Sequence, residues 1–253
     1  EKLLLLAGDT IFDRGLSDVL TIAIINKIRE KNNNVKILAS NHDLHYFFTN
    51  VSSNDRGSMY PDDIENILYE DYLKNTTLFH YHYDGDIPII SSHAYQTQTY
   101  IDKIKLEINF SDDINNTNIE EFVNRANNWY QKEISEMIQE IKSGKKGRDI
   151  EKKHVLLSNI VWGESYGEGG RNRDSGKINL DPSFSNVDGI LYLVGHDNKV
   201  DQADSVRGIS LNDYHLQMEK NEEMALSIFI ADVPNLEQKK EVKKPADAPP
   251  IAN

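Results

Sequence analysis

The chain has 253 residues, 38% of them apolar and 27% charged, a size at which one globular domain removes roughly 70–75% of its unfolded surface from water. Its 28 Lys and Arg stand against 41 Asp and Glu, a net charge of −13, which excludes nucleic acid or an anionic membrane surface as the main partner. It has no cysteine, hence no disulfide frame, and no apolar run approaches the ~18 residues of a membrane-spanning helix; this composition suits a reducing cytosol.

Leu3 to Ala7 is a short apolar run that predicts a buried strand, and it ends in Gly8-Asp9-Thr10-Ile11-Phe12-Asp13-Arg14-Gly15. Ser17 is placed to cap a helix from about Asp18 to Lys31, in which Val19, Leu20, Ala23, Ile24 and Ile28 form an apolar stripe. A second strand, Val35 to Ala39, runs into Asn41-His42-Asp43. Pro61 precedes a predicted helix from Asp62 to about Lys74. Asp84-Gly85, between Phe79 to Tyr83 and Ile87 to Ile90, is a hairpin turn signal. His80 and His82 alternate on the first of these strands, where a metal-binding pair competes with ordinary cross-strand packing. The second strand leads through Ser91-Ser92 to His93.

Between His93 and Trp162 lie 68 residues. Thr117-Asn118-Ile119-Glu120 resembles a capping box opening a helix to about Lys142, with Ile119, Phe122, Ala126, Trp129, Ile134, Met137, Ile138 and Ile141 on one face. That face either packs on the domain or belongs to a helical arm that docks a substrate or partner. Lys142, Lys145, Lys146, Arg148, Lys152 and Lys153 form a basic cluster that reads as a solvated loop beside a helix C-terminus. A Gly-rich loop after Trp162-Gly163-Glu164 carries Arg171 and Arg173, and a last strand, Ile190 to Val194, ends in Gly195-His196. From Pro234 onward, charge and proline predict a flexible tail or linker. The expected organisation is one domain over residues 1–233, with a helical insertion at about 100–155, and a tail over residues 234–253.

Four segments thus end strands in order: Gly8 to Gly15, Asn41-His42-Asp43, His93, and Gly195-His196. Strand ends are where an α/β sheet presents its chemistry. The series resembles the phosphoprotein phosphatase (PPP) family of metallophosphoesterases, whose signature runs G-D-x-H-G, G-D-x-x-D-R-G, G-N-H-E, a lone His after a strand, and a later His. The likeness covers residue 4 to about 215. Within that family, the insertion and the Asn/Lys/Ile-rich composition resemble the secreted bacterial effector phosphatases of the Legionella Wip type.

The resemblance implies an α/β metallophosphoesterase fold: two mixed sheets packed face to face with flanking helices, plus the helical insertion. It implies metal-dependent dephosphorylation of phosphoproteins, on Ser/Thr or Tyr, by a hydroxide bridging two divalent ions about 3.5–4 Å apart. Asp9 takes the bridging position, with Asn41, His93 and His196 completing one metal's shell. Mixed oxygen and imidazole ligands suit Mn, Fe or Zn better than Ca or Mg. Arg14 clamps the phosphate through its planar fork, Arg171 or Arg173 is the late arginine of the family, and His42 protonates the leaving oxygen with Asp13 orienting its ring. The place of action so implied is the cytosol, that of a host cell for a secreted effector.

The pattern also departs from the family. Asp13 follows Asp9 by four positions rather than three, Ser40 stands for Gly, Asp43 for Glu and Ala94 for Gly, and Asp197 follows Gly195-His196. The first motif, G-D-x-H-G, is missing and is expected before Glu1; Asp213-Tyr214-His215 has its spacing but stands too late to replace it. Two other readings remain open from sequence: a small-molecule or dinucleoside polyphosphate phosphoesterase, and a catalytically defective binding module of the same fold.

Overall fold

Strand β1 (Leu4–Leu6) and strand β2 (Val35–Leu38) pair in parallel, with Leu5 opposite Lys36, and helix α1 (Asp18–Arg29) crosses between them. A parallel pair needs such a crossover, because a tight turn can only reverse the chain. A two-residue strand β3 (Thr76–Thr77) adds to β2, and the backbone N–H of Ala39 donates to Thr77 O at 2.8 Å to prolong the pairing. The computed structural model describes residues 3–11, 18–48, 67–145, 147–163, 187, 189–195 and 208–210, all within one compact unit, Glu1–Asp213.

The second sheet has the order β4-β5-β6-β7, from β4 (Phe79–Asp84), β5 (Ile87–Ser92), β6 (Leu191–Val194) and β7 (Gly208–Ser210). Asp84 and Ile87 close the β4–β5 hairpin that Asp84-Gly85 predicts. The β5–β6 and β6–β7 pairs are parallel. The fold is therefore α/β with two sheets, as expected, but only the second sheet is mixed; the described strands of the first are all parallel. Gly195 follows β6 closely against the end of β1, where a Cβ would stand 2.4 Å from Ala7 O. The two sheets thus meet at the C-terminal ends of β1, β5 and β6.

The insertion carries four helices joined by turns: α3 (Gln98–Glu107), α4 (Ile119–Lys142), α5 (Gly147–Lys153) and α6 (Val155–Trp162). Its long helix α4 is part of the core and not a free arm. Phe122 lies 5.9 Å from Phe79 of β4, ring centre to ring centre. Asn127 accepts from Phe79 N–H at 3.0 Å and donates to Phe79 O at 2.9 Å, and Gln131 donates to Thr76 O at 2.6 Å. The expected apolar face is buried except that Trp129 and Ile141 sit at its margin, while Val123 and Tyr130 join it. Burying that face leaves no apolar stripe on α4 for a docked partner.

Three local expectations are corrected. On α1 the buried apolar residues are Ile22 and Ile25, whereas Leu20, Ile24 and Ile28 are exposed by 60%, 51% and 38%; the helix turns a different face inward, because both faces are apolar and spacing alone cannot choose. The helix predicted from Asp62 is, in its described part, a π-helical turn Ile67–Tyr72 followed by a 3₁₀ turn Leu73–Asn75. At the start of α4 the cap is Asn118 without a side-chain cap bond, because Thr117 spends its hydroxyl on Asn115 Oδ1 at 2.6 Å. Of the basic cluster, Lys145 and Lys153 are engaged by Glu140, and Lys153 also by Glu136. Ser17, Asp62 and the tail over residues 234–253 lie outside the described residues.

Candidate active site

Asp9 and His93 are brought together by the seam between the sheets. After β1 the chain turns at once through Gly8, with φ of +100°, and Asp9, with φ of +51°. A non-glycine residue in that left-handed region costs roughly 1–3 kcal/mol and persists only where its surroundings hold it. Gly8 is required for a second reason: a Cβ there would stand 2.2 Å from His93 Nδ1 and 2.9 Å from Ser40 Cβ. The turn thus aims the Asp9 carboxylate across the ends of β2 and β5.

The partners come from those ends. Helix α2 (Asn41–Phe48) begins two residues after β2, so Asn41 and His42 lie in its first turn. Asp9 Oδ1 is 3.3 Å from His93 Nε2, Asp9 Oδ2 is 4.0 Å from His42 Nε2, and Asn41 Oδ1 is 3.0 Å from His93 Nε2. Asn41 and His93 are nearly fully buried and His42 is 9% exposed.

His93 Nδ1 faces the Ala7 carbonyl oxygen at 2.8 Å and is the N–H donor of the ring. In the neutral ring Nε2 then carries a lone pair, and it points at Asn41 Oδ1 and the Asp9 carboxylate, which are acceptors too. Turning the Asn41 amide over would give Nε2 a donor and leave the carboxylate facing the same lone pair. A cation satisfies all three at once. Adjacent ligands of an octahedral ion about 2.1 Å away are about 3 Å apart, the spacing found here. The residues present therefore fit a divalent metal with mixed oxygen and imidazole ligands. Among the described residues no three His, Cys, Asp or Glu side chains form a metal cluster; the convergent set is two of these plus an amide. Asp13, Arg14, Arg171, Arg173 and His196 lie outside the described residues.

Sequence reasoning passed over a polar network behind the site. Ser40 and Asp43 cap α2 reciprocally: Ser40 N–H donates to Asp43 Oδ2 at 3.0 Å and Asp43 N–H donates to Ser40 Oγ at 3.3 Å. S-x-x-D ahead of an apolar run was the available signal. Tyr72, from the π-helical turn, donates to Asp43 Oδ1 at 3.1 Å, and Thr10 donates to the Tyr72 oxygen at 2.5 Å. This chain ties the Asp9 turn to the first turn of α2. Burial, then the neighbouring Asp9 charge, pushes the Asp43 carboxyl up to about 8, against hydrogen bonds from Ser40 and Tyr72 that lower it. A second network steadies the His93 loop: Ser92 donates to Ala94 O at 2.7 Å and accepts from Tyr192 at 2.6 Å, and Gln96 donates from its side chain to Ala94 O and Ile160 O, both at 2.8 Å.

Residues 3–55, the stretch that holds Asp9, Asn41 and His42, match the family model of the WipA-like phosphatase domain. The structure is similar to the crystal structure of the phosphatase domain from the Legionella effector WipB, with 19% sequence identity and a TM-score of 0.53 over 78% of this chain and 72% of that one. The chain has the fold of a Wip-type phosphatase domain. No curated protein matches it in sequence. In this Wip-type fold the four placed site residues stand at strand ends β1, β2 and β5, the positions at which the sequence motifs put them. No helix among the described residues is long and apolar enough to cross a membrane.

Proposed function

We propose that this chain is a metal-dependent phosphomonoesterase acting on phosphoproteins. The observation that carries the reading is the convergence of Asp9 Oδ1 and Asn41 Oδ1 on His93 Nε2, at 3.3 and 3.0 Å; the match of residues 3–55 to a phosphatase domain supports it. Asp9, Asn41 and His93 would hold one divalent ion, with His196 as a further ligand and Asp9 shared with a second ion. Such ions supply Lewis-acid charge for the phosphate oxygens and acidify the attacking water. Manganese is the first choice, with iron or zinc suited to the same ligand types.

The chain's own groups do the rest. His42, held in the first turn of α2 beside Asp9, gives a proton to the departing oxygen, and Asp13 orients its ring. Arg14 grips two phosphate oxygens through its planar fork, and Arg171 or Arg173 adds a second guanidinium. Phosphoserine, phosphothreonine and phosphotyrosine all present the same dianion to these groups. The WipB neighbour is a Legionella effector, and a host cytosol is the place of action proposed for this chain.

The experiment is Mn²⁺-dependent hydrolysis of p-nitrophenyl phosphate by the natural full-length protein, with Asp9→Asn as control, followed by phosphopeptides against nucleotides. Activity lost in the variant supports the reading, and higher kcat/KM on phosphopeptides than on nucleotides supports the substrate class. Equal rates for variant and parent would overturn it and leave the fold as a binding module.

A further inference from the structure

We propose that Tyr72 is a positioning residue for the active centre: its buried hydroxyl, bonded to Thr10 and Asp43 together, holds the Asp9 turn against the first turn of α2 and so sets the affinity for the divalent ion. The inference rests on the metal-dependent reading of Asp9, Asn41 and His93 given above. Two of those three residues flank the network. Asp9 immediately precedes Thr10, and Asn41 stands two residues before Asp43.

The Tyr72 oxygen accepts from Thr10 at 2.5 Å and donates to Asp43 Oδ1 at 3.1 Å. Tyr72 and Asp43 are both fully buried. A hydroxyl so placed costs free energy unless it is bonded, and a phenyl ring would fill the same space without that cost. Core packing therefore accounts for the ring of Tyr72 but not for its oxygen. That oxygen joins segments 62 and 29 residues away in sequence, and a buried network whose members are bonded rigidifies what it connects.

Rigidity is needed here for a physical reason. Asp9 holds a φ of +51°, a conformation that a non-glycine residue keeps only where its surroundings impose it. Gly8 gives room on one side of Asp9, and the Thr10–Tyr72 bond gives a fixed point on the other. Asp9 and Asn41 come from different segments, after β1 and after β2, yet both must reach the ion that His93 Nε2 faces. Ligands held in place before the ion arrives bind it more tightly, because less freedom is lost on binding. Tyr72 attains its place at the end of the π-helical turn Ile67–Tyr72, where the chain passes into the 3₁₀ turn Leu73–Asn75; π-helical turns are rare and recur at functional sites.

The test is calorimetric titration of Mn²⁺ into the natural full-length protein and its Tyr72→Phe, Thr10→Val and doubly substituted forms, each well below its melting temperature. Each single variant is expected to bind Mn²⁺ roughly 10- to 100-fold more weakly than the parent. The double variant should bind no more weakly than Tyr72→Phe, which already removes the Thr10 bond, and Thr10→Ser, which keeps the hydroxyl, should bind like the parent. Phosphatase kcat of Tyr72→Phe should return toward the parent's value at saturating Mn²⁺, since no group that touches substrate is lost. A Tyr72 that serves stability alone would lower the melting temperature and leave Mn²⁺ affinity equal in parent and variants, which overturns the proposal, as do additive losses in the double variant. Thr10 is half-buried, so Thr10→Val carries the comparison should Tyr72→Phe fail to fold. A parent that binds no Mn²⁺ would overturn the reading of the site itself and this proposal with it, a result distinct from binding that the variants leave unchanged.

Discussion

At the scale of single residues, the turn after β1 decides the geometry of the site. Gly8 has room for a hydrogen and nothing larger, because a Cβ would occupy the space of His93 Nδ1 and its bond to Ala7 O. Gly8→Ala is expected to push His93 off that carbonyl, to lower metal-dependent turnover by at least ~10²-fold, and to cost about 1 kcal/mol or more for the left-handed backbone alone; steady-state kinetics and urea denaturation read the two effects separately. His42→Asn removes the proposed proton donor without touching the proposed ligands Asp9, Asn41 and His93. Turnover should fall ~10²- to 10⁴-fold with metal content unchanged, and unchanged turnover would remove His42 from the role. The places of Asp9, Asn41, His42 and His93 were legible in the sequence because each follows a strand or opens a helix, where local pattern suffices; the roles proposed for them came from the resemblance. Tyr72 was not: its bond to Asp43 spans 29 residues and depends on a π-helical turn that no spacing rule announces.

At the scale of elements, α1 shows where periodicity stops being informative. Its sequence offers two apolar faces, and the core takes the one carrying Ile22 and Ile25. Ile22→Ala is therefore expected to destabilise by about 2–5 kcal/mol, whereas Ile24→Ala, at 51% exposure, should change stability by no more than about 0.5 kcal/mol. Chemical denaturation of the pair checks the assignment, and the reverse ranking would restore the face expected from sequence. The joint between α4 and the helices after it is ionic: Glu140 accepts from Lys145 and Lys153, each at 2.9 Å, and lies 3.4 Å from His154 Nε2, while Glu133 is 2.5 Å from His154 Nδ1. Desolvation raises the Glu140 carboxyl, but the two ammonium groups outweigh it and hold the group at about 2 against its usual 4.5. A depressed carboxyl contributes stability above its unfolded value and loses it as pH falls toward the folded one, so this contribution should fade between pH 4.5 and 2. Glu140→Gln should cost about 1–3 kcal/mol at neutral pH, between the values for exposed and buried pairs. Thermal melts across that range should show the variant losing less stability on acidification than the parent.

At the scale of the whole molecule, the fold class was legible through the resemblance of the strand-end motifs to the metallophosphoesterases, but the assembly of the second sheet was not. Tyr192 of β6 bonds to Ser92 of β5 across 100 residues, and the long helix between them packs into the core through Tyr130 and Val123, positions outside the stripe that spacing selects. Long-range pairing is fixed by which faces bury each other, and a single sequence does not record that choice. Charge works at this scale too. A net charge of −13 sets a field that repels anions, so the proposed phosphate substrate would have to be held by cations local to the site, while the surface favours a cationic surrounding sequence. The expectation is that a phosphopeptide flanked by Lys and Arg has a higher kcat/KM than the same phosphopeptide flanked by Asp and Glu. The ratio should shrink toward one as salt rises from about 10 mM to about 1 M, where the screening length falls from about 30 to 3 Å. A ratio indifferent to salt would instead assign peptide preference to direct contacts in the pocket and deny the field any part in it.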